Sequence, residues 1–382
     1  MRGLIASLVM ATALLAPSPG QASPAFEAML RQAEAVRSAD PAQFNELIGQ
    51  LNASIGSASP RQRELLEYLK AYQLIYTGRL DLGTTAAEEL FRSSSDPAIR
   101  YRVGALLVFP YASRRDFAEA LRYMNESLEL QGQIDDPAVL DHGWASASGL
   151  LNQIGRHEDA LRYANLLRER SPEPRTRCFG EAMVIESQYA LDPGKLDGAA
   201  IEDVATRCLE VGEPLVANYA RNLRARLMAD RGERNEAAVY LARHMEAIEA
   251  TRYPRLIAEA NAVLAEISLE AGDFDAAERH ARRIIGLGAA VDVSPPMVAA
   301  HRILYESALQ RGNTVAALAH HINYAEADKA YLNEVKARAM AYQEVAAETR
   351  EKDQAIDLLN SENQLLQLRE QAASLSARNN QL

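Results

Sequence analysis

The segment Gly155-Arg156-His157-Glu158-Asp159-Ala160-Leu161-Arg162-Tyr163-Ala164 sets a pattern that returns along the chain. It comes back as Gly272-Asp273-Phe274-Asp275-Ala276-Ala277-Glu278-Arg279-His280-Ala281. Shorter copies are Gly312-Asn313-Thr314-Val315-Ala316-Ala317-Leu318 and Gly232-Glu233-Arg234-Asn235-Glu236-Ala237-Ala238. A copy without glycine runs from Arg115 through Phe117, Ala120 and Leu121 to Met124. The turn positions 115, 155, 232, 272 and 312 are spaced by 40, 77, 40 and 40 residues, and the long step divides at Pro193-Gly194-Lys195. A degenerate earlier copy lies at Tyr76-Thr77-Gly78-Arg79-Leu80. A fixed period near 40, with a turn between two helical patterns, predicts an all-α solenoid of stacked helical hairpins. Glycine at the turn ends the first helix in the left-handed conformation, and the alanine five residues on lets the second helix approach closely.

The flanking composition agrees. The chain has 382 residues, 48% hydrophobic and 24% charged, with few aromatics and abundant Ala, Leu, Glu and Arg, which lose least on entering a helix. Its net charge of −11 (41 basic, 52 acidic) argues against nucleic acid as a partner. Residues 1–22 read as a secretory signal peptide: Arg2, then an apolar run from Leu4 to Ala16, then Gly20-Gln21-Ala22 as the cleavage site. The expected location is therefore the periplasm or the exterior, with any membrane contact made through a partner or a further segment. Residues 23–60 are expected to form capping helices, and 61–325 the solenoid.

The repeat resembles the tetratricopeptide repeat, with Trp144, Gly155, Ala160, Ala164 and Pro172 at the family's spacing. Its period exceeds the family's 34. The resemblance implies a concave groove that takes a protein or peptide ligand. Carried over by position, the groove residues are Arg102, Phe109, His142, Asn152, Gln153, Ile185, Tyr189, Asn222, Arg226, Glu259, Glu266, Arg302 and Glu306. Arg and Asn in such a row suit backbone or carboxylate groups of a ligand.

From Asn323 to Leu382 there is no Pro or Gly. A three-four stripe runs Tyr342, Val345, Thr349, Lys352, Ile356, Leu359, Asn363, Leu366, and a second runs Leu358, Leu365, Leu368, Ala372, Leu375, Asn379, Leu382, with Asn363 and Asn379 placed to fix register. Residues 326–382 thus predict a long helix pairing as a coiled coil, with self-association through it; a helix folded back on the solenoid is the alternative. On the coiled-coil reading, truncation after Asp328 leaves a folded monomer. This tail behind a repeat array resembles the exit helix of membrane-bound bacterial diguanylate cyclases, whose periplasmic repeats act as sensory input. The chain contains no Gly-Gly-Asp-Glu-Phe motif, so the resemblance brings no cyclase activity with it. It implies a sensory binding module for a membrane signalling protein; the other reading is a free-standing envelope scaffold.

Sites of chemistry are few. Cys178 and Cys208 flank Pro193-Gly194 symmetrically, so a structural disulfide is expected across that hairpin, the alternative being two separate buried thiols. The seven histidines show no i, i+4 pair, and no phosphate-binding loop, dinucleotide fingerprint or Gly-x-Ser-x-Gly occurs. No cofactor, metal or catalytic group is expected. Asp135-Asp136 before Pro137 reads as a helix cap.

Overall fold

In a computed structural model, residues 23–379 are described, those beyond 374 as helical backbone only. The leader and cleavage site lie outside the described residues. The chain divides into two compact units, Met1–Val103 and Gly104–Leu382.

The first unit opens with α1 (Pro24–Val36) and α2 (Pro41–Ala53), followed by the hairpin α3 (Pro60–Tyr76) and α4 (Leu80–Ser93) and the start of α5 (Pro97–Ser113). Its core is built on Phe26, Leu30, Phe44, Leu51, Leu66, Tyr68 and Leu69. Gly83 stands where the other copies carry alanine. A methyl group there would meet Ile75 Cγ1 at 2.7 Å and the Ala71 carbonyl at 2.9 Å, so α3 and α4 approach too closely for any side chain.

The second unit continues the hairpins. They are α5 with α6 (Phe117–Glu129), α7 (Pro137–Gln153) with α8 (His157–Arg170), and α9 (Pro174–Leu191) with α10 (Gly198–Glu210). Then come α11 (Pro214–Asp230) with α12 (Arg234–Ala250), α13 (Pro254–Glu270) with α14 (Phe274–Ile285), and α15 (Pro295–Gln310) with the start of α16 (Thr314–Asn379). Asp136 caps α7 by accepting from the Ala138 amide.

The first helix of every hairpin begins on proline: 60, 97, 137, 174, 214, 254 and 295. Proline at that position gives up no hydrogen bond and its fixed φ suits the first turn. The alanines of the repeat, Ala120, Ala160, Ala237, Ala277 and Ala317, are all buried between the two helices of their hairpins. Gly155 takes φ +80° at its turn, as the pattern requires. In the copy without glycine, Arg115 takes φ +64°, a conformation that strains a residue bearing a Cβ. Its guanidinium explains why arginine is there: Nε lies 3.0 Å from Glu334 Oε2 and Nη2 lies 3.4 Å from Asp292 Oδ1.

The long tail departs from the coiled-coil expectation over its first half. Val345, the second residue of the expected seam, is 3% exposed and joins a core cluster with Phe117, Leu121, Met124, Leu150 and Leu151. Tyr342 lies under Arg156, whose guanidinium is 4.6 Å from the ring centroid. Arg338 donates to the Gln153 carbonyl at 2.9 Å and sits 5.2 Å from the Phe117 ring. Asn125 donates to Thr349 Oγ1 at 3.4 Å. So α16 leaves α15, reaches back to α6 and lies along it, and the stripe Tyr342–Val345–Thr349 faces α6 instead of a second copy. The reason is physical: an apolar stripe buries against whichever apolar surface is nearest, and the second hairpin supplies one within the same chain. Truncation after Asp328 would strip this cover from the Phe117 cluster, so that cut does not isolate an intact solenoid.

Candidate groove on the first helices

Within the second unit the first helices of successive hairpins lie side by side, and one face of α9, α11, α13 and α15 carries a row of polar side chains. Four of the expected residues meet there. Glu266 on α13 accepts from Arg226 on α11 at 2.5 Å and from Arg302 on α15 at 3.4 Å, and Arg302 also holds Glu306 at 3.2 Å. Tyr189 on α9 donates its hydroxyl to Asp230 on α11 at 2.5 Å. Burial, this hydrogen bond and the nearby carboxylate push the Tyr189 phenol well above its ordinary value.

A second row runs beside the first. Tyr219 on α11 hydrogen-bonds Glu186 on α9, and Arg255 donates to Glu259 at 3.0 Å on α13. Glu186 and Glu259 keep part of their surface in water, yet protein stands so densely around them that desolvation pushes both carboxyls up, against the pull of Arg255. Desolvation, with Glu186 adding to it, likewise pushes the Tyr219 phenol up. Glu186 and Glu259 thus touch water while packed closely by protein on the face that α9, α11 and α13 share. Asn222, between Tyr219 and Arg226 on α11, is 4% exposed; it donates to the Leu256 carbonyl at 2.9 Å, and its own Oδ1 has no partner among the described residues.

Other expected groove residues serve the scaffold. Arg102 is 8% exposed and donates to Glu34 at 3.1 Å, so it ties α5 to α1 and is not open to a ligand. Asn152 is buried and accepts from Ser187 at 2.9 Å while its other amide group meets Glu186 at 3.4 Å. Gln153 is half-buried with its carbonyl taken by Arg338. Ile185 lies in a core cluster. Phe109 is exposed and His142 half-buried, both away from the charged row.

Glu186, Tyr219, Asp230 and Arg255 belong to the rows and were not among the expected residues. Tyr219 and Asp230 were within reach, because the register that selects Asn222 and Arg226 also passes through them. Glu186 is displaced by one residue from the expected Ile185, since α9 has 18 residues where α7, α11 and α13 have 17.

Charge arithmetic changes the chemistry expected of this face. Glu186, Asp230, Glu259, Glu266 and Glu306 are five carboxylates against three guanidiniums, Arg226, Arg255 and Arg302, a balance of −2 with all ionised. The arginines are already engaged by neighbours, so a ligand carboxylate or backbone group meeting Arg226 or Arg302 would compete with Glu266 and Glu306.

Elsewhere, Cys178 on α9 and Cys208 on α10 form a disulfide with Cα atoms 5.4 Å apart, within a buried cluster. His301 and His320 share a cavity of about 210 Å³ with Arg282 and Asn323. Among the described residues no group of three or more His, Cys, Asp or Glu is placed to hold a metal ion, and no helix is long and apolar enough to cross a membrane.

No protein-family model and no curated protein matches the sequence. Solved structures do resemble it. A Rap protein complexed with competence and sporulation factor superposes with a TM-score of 0.62 at 12% identity, covering 86% of this chain and 98% of the other. The apo form of RapI gives 0.52 at 11% identity, over 80% and 98%. A signal transduction ATPase with numerous domains and a tetratricopeptide repeat sensor, from Pyrococcus horikoshii, gives 0.52 at 14% identity, over 81% of this chain and 48% of that one. At such identities the likeness concerns the fold. This chain is a tetratricopeptide-like helical solenoid with a long C-terminal helix.

Proposed function

We propose that the chain is a binding module whose ligand is a protein or an extended peptide, held on the face shared by α9, α11, α13 and α15. The observation that carries this reading is the double row of Tyr, Arg and carboxylate side chains lining a groove, part-wetted and internally paired. A solenoid needs a polar, solvated surface, but it does not need carboxyls held where desolvation raises their pKa. That a Rap protein of the same fold is known complexed with competence and sporulation factor supports a ligand-binding use of the architecture. The surplus of carboxylates favours a ligand segment presenting backbone N–H groups or a basic side chain.

The finer reading, sensory input to a membrane signalling protein of the diguanylate cyclase type, rests on the sequence resemblance of the tail alone. Export to the periplasm rests on the leader sequence and is supported by the disulfide, which persists in oxidising compartments. A fusion of residues 1–40 to a reporter active only outside the cytoplasm tests export.

Selection of binders from a random peptide display library against the full chain tests the groove. Enriched peptides should lose tenfold or more of their affinity for Glu259→Gln and Glu186→Gln chains, and none for an exposed control on a second helix such as Arg279→Ala. Peptides indifferent to both groove substitutions would move the binding surface elsewhere.

A further inference from the structure

One apolar stripe on α16 has two environments. Up to Thr349 it is docked on α6, with Val345 buried and Glu344 and Glu348 both held by Arg122, at 2.7 and 2.8 Å. Beyond that the same three-four spacing continues through Lys352, Ile356, Leu359, Asn363 and Leu366, and every side chain from Glu351 to Ser374 is exposed. Ile356, Leu359 and Leu366 stand 54%, 58% and 54% in water. At about 1.5 Å per residue, residues 350–379 project roughly 45 Å. Helices in proteins draw most of their stability from packing an apolar face, and from Glu351 to Ser374 that face meets nothing among the described residues.

We propose that this projecting stripe is the pairing surface for a second copy of the chain, as a parallel two-stranded coiled coil, and that the Arg122 clasp sets where the pairing begins. Asn363 identifies the partner. With Ile356 and Asn363 at one seam position and Leu359 and Leu366 at the other, the side-chain amide of Asn363 enters the seam and needs an equal amide opposite it. A second copy in parallel register supplies one by symmetry; an antiparallel copy sets Asn363 against an apolar side chain unless the crossing falls on that residue. Lys352 marks the lower boundary, because in the parallel register it would face its own copy's ammonium. The docked part of the stripe ends at Thr349, three residues before Lys352. Pairing below Lys352 therefore requires Glu344, Val345 and Glu348 to leave α6.

The two native cysteines are bonded to each other, so single engineered cysteines report the seam in the full chain. Under mild oxidation, Leu359→Cys should give a disulfide-linked dimer at least ten times faster than Leu365→Cys, which lies on the other stripe. Sedimentation of the unsubstituted chain should show a concentration-dependent monomer–dimer equilibrium. Thr349→Cys should cross-link only when combined with both Val345→Ala and Arg122→Ala, which together release the docked segment. A chain that stays monomeric at high concentration, or Leu365→Cys cross-linking as fast as Leu359→Cys, would overturn the pairing. Thr349→Cys cross-linking with the clasp intact would overturn the boundary. Unchanged circular dichroism of each variant separates these outcomes from misfolding.

Discussion

Arg122 on α6 donates from Nε to Glu348 on α16 at 3.0 Å, joining positions 226 residues apart in the chain. With Glu119 and Glu344 also on Arg122, three carboxylates converge on one guanidinium. Hydrogen bonds to Glu348 and Glu119 hold that guanidinium's pKa above its ordinary value. These side chains are 30–57% exposed, and surface ion pairs of that kind contribute roughly 0–1 kcal/mol each. The closure of α16 onto α6 therefore draws its energy from Val345 and Tyr342, and its register from the charges.

Val345→Ala removes two buried methyl groups, about 1.5–2 kcal/mol at roughly 0.8 kcal/mol per carbon. The loss should fall on the docking of α16 rather than on the hairpins. Native-state hydrogen exchange should show residues 338–349 opening more readily, while α11 and α13 keep their protection. Arg122→Ala should open the same segment by less than about 1 kcal/mol. Equal loss of protection across all helices would mean that α16 is part of one cooperative unit.

Asp141 makes stability depend on pH. It is 7% exposed; desolvation, aided by Glu173 and Asp136, pushes its carboxyl up to about 6, although Ser171 donates a hydroxyl to it at 2.6 Å. The folded chain then holds a proton that the unfolded chain releases near pH 4. Between about pH 4 and 6 the folded state binds more protons, so this group lowers stability as pH rises through that window and is level above it. Asp141→Asn keeps an acceptor for Ser171 and removes the charge. At pH 7–8 it should gain up to about 3 kcal/mol over the parent, with the difference vanishing near pH 4. Chemical denaturation at a series of pH values measures it; an Asn variant less stable at pH 8 would show that the carboxylate finds a partner when ionised.

Much of this architecture was legible in the sequence because the hairpin obeys local rules. Gly155 needs a positive φ, Ala160 needs contact without bulk, and both recur at a fixed step. A further local signal stood in plain view: the prolines opening the first helices, from Pro60 to Pro295, mark each hairpin start as firmly as the glycines mark its turn. The return of α16 was not legible. Its stripe of Tyr342, Val345 and Thr349 is equally suited to a second helix or to α6, and the choice depends on contacts between elements some two hundred residues apart in the chain. The groove was partly legible. Arg226, Glu266, Arg302 and Glu306 follow from the repeat register, but their mutual pairing depends on side-chain reach between neighbouring helices, which spacing alone does not encode.

Glu266 couples two arginines, so their effects should not add. Arg226→Ala leaves Glu266 with Arg302, and Arg302→Ala leaves it with Arg226; removing both strands a half-buried carboxylate. The double variant should lose about 0.5–3 kcal/mol more than the sum of the singles, the range for residues sharing one network. Replacing Glu266 by Gln in the same background should recover most of that excess. Urea unfolding of the five chains provides the cycle, and strict additivity would show that Glu266 is adequately solvated without either arginine.

The disulfide between Cys178 and Cys208 supplies the last test. Both residues are almost fully buried, at 4% and 0% exposure, beside Ile185, Ile201, Val204 and Ala205, so the bridge is shielded from solvent. It closes 30 residues that include the turn from Pro193 to Lys195, a short 3₁₀ segment where most other hairpins turn on a glycine of positive φ. Constraining that loop in the unfolded chain contributes about 3–4 kcal/mol on the chain-entropy model. Cys208→Ser should therefore lower the melting temperature by several degrees, and reductant should have the same effect on the parent but none on the variant. Because α9 carries Glu186 and Tyr189, the variant also tests whether the bridge positions the groove: peptide affinity at a temperature well below melting should stay within about twofold, since Tyr189 and Glu186 are held from α11 by Asp230 and Tyr219. Thiol labelling of exported protein in denaturant should find no free cysteine. Two reactive thiols in that material would remove the bridge from the protein in its working compartment, and with it the stability difference predicted here.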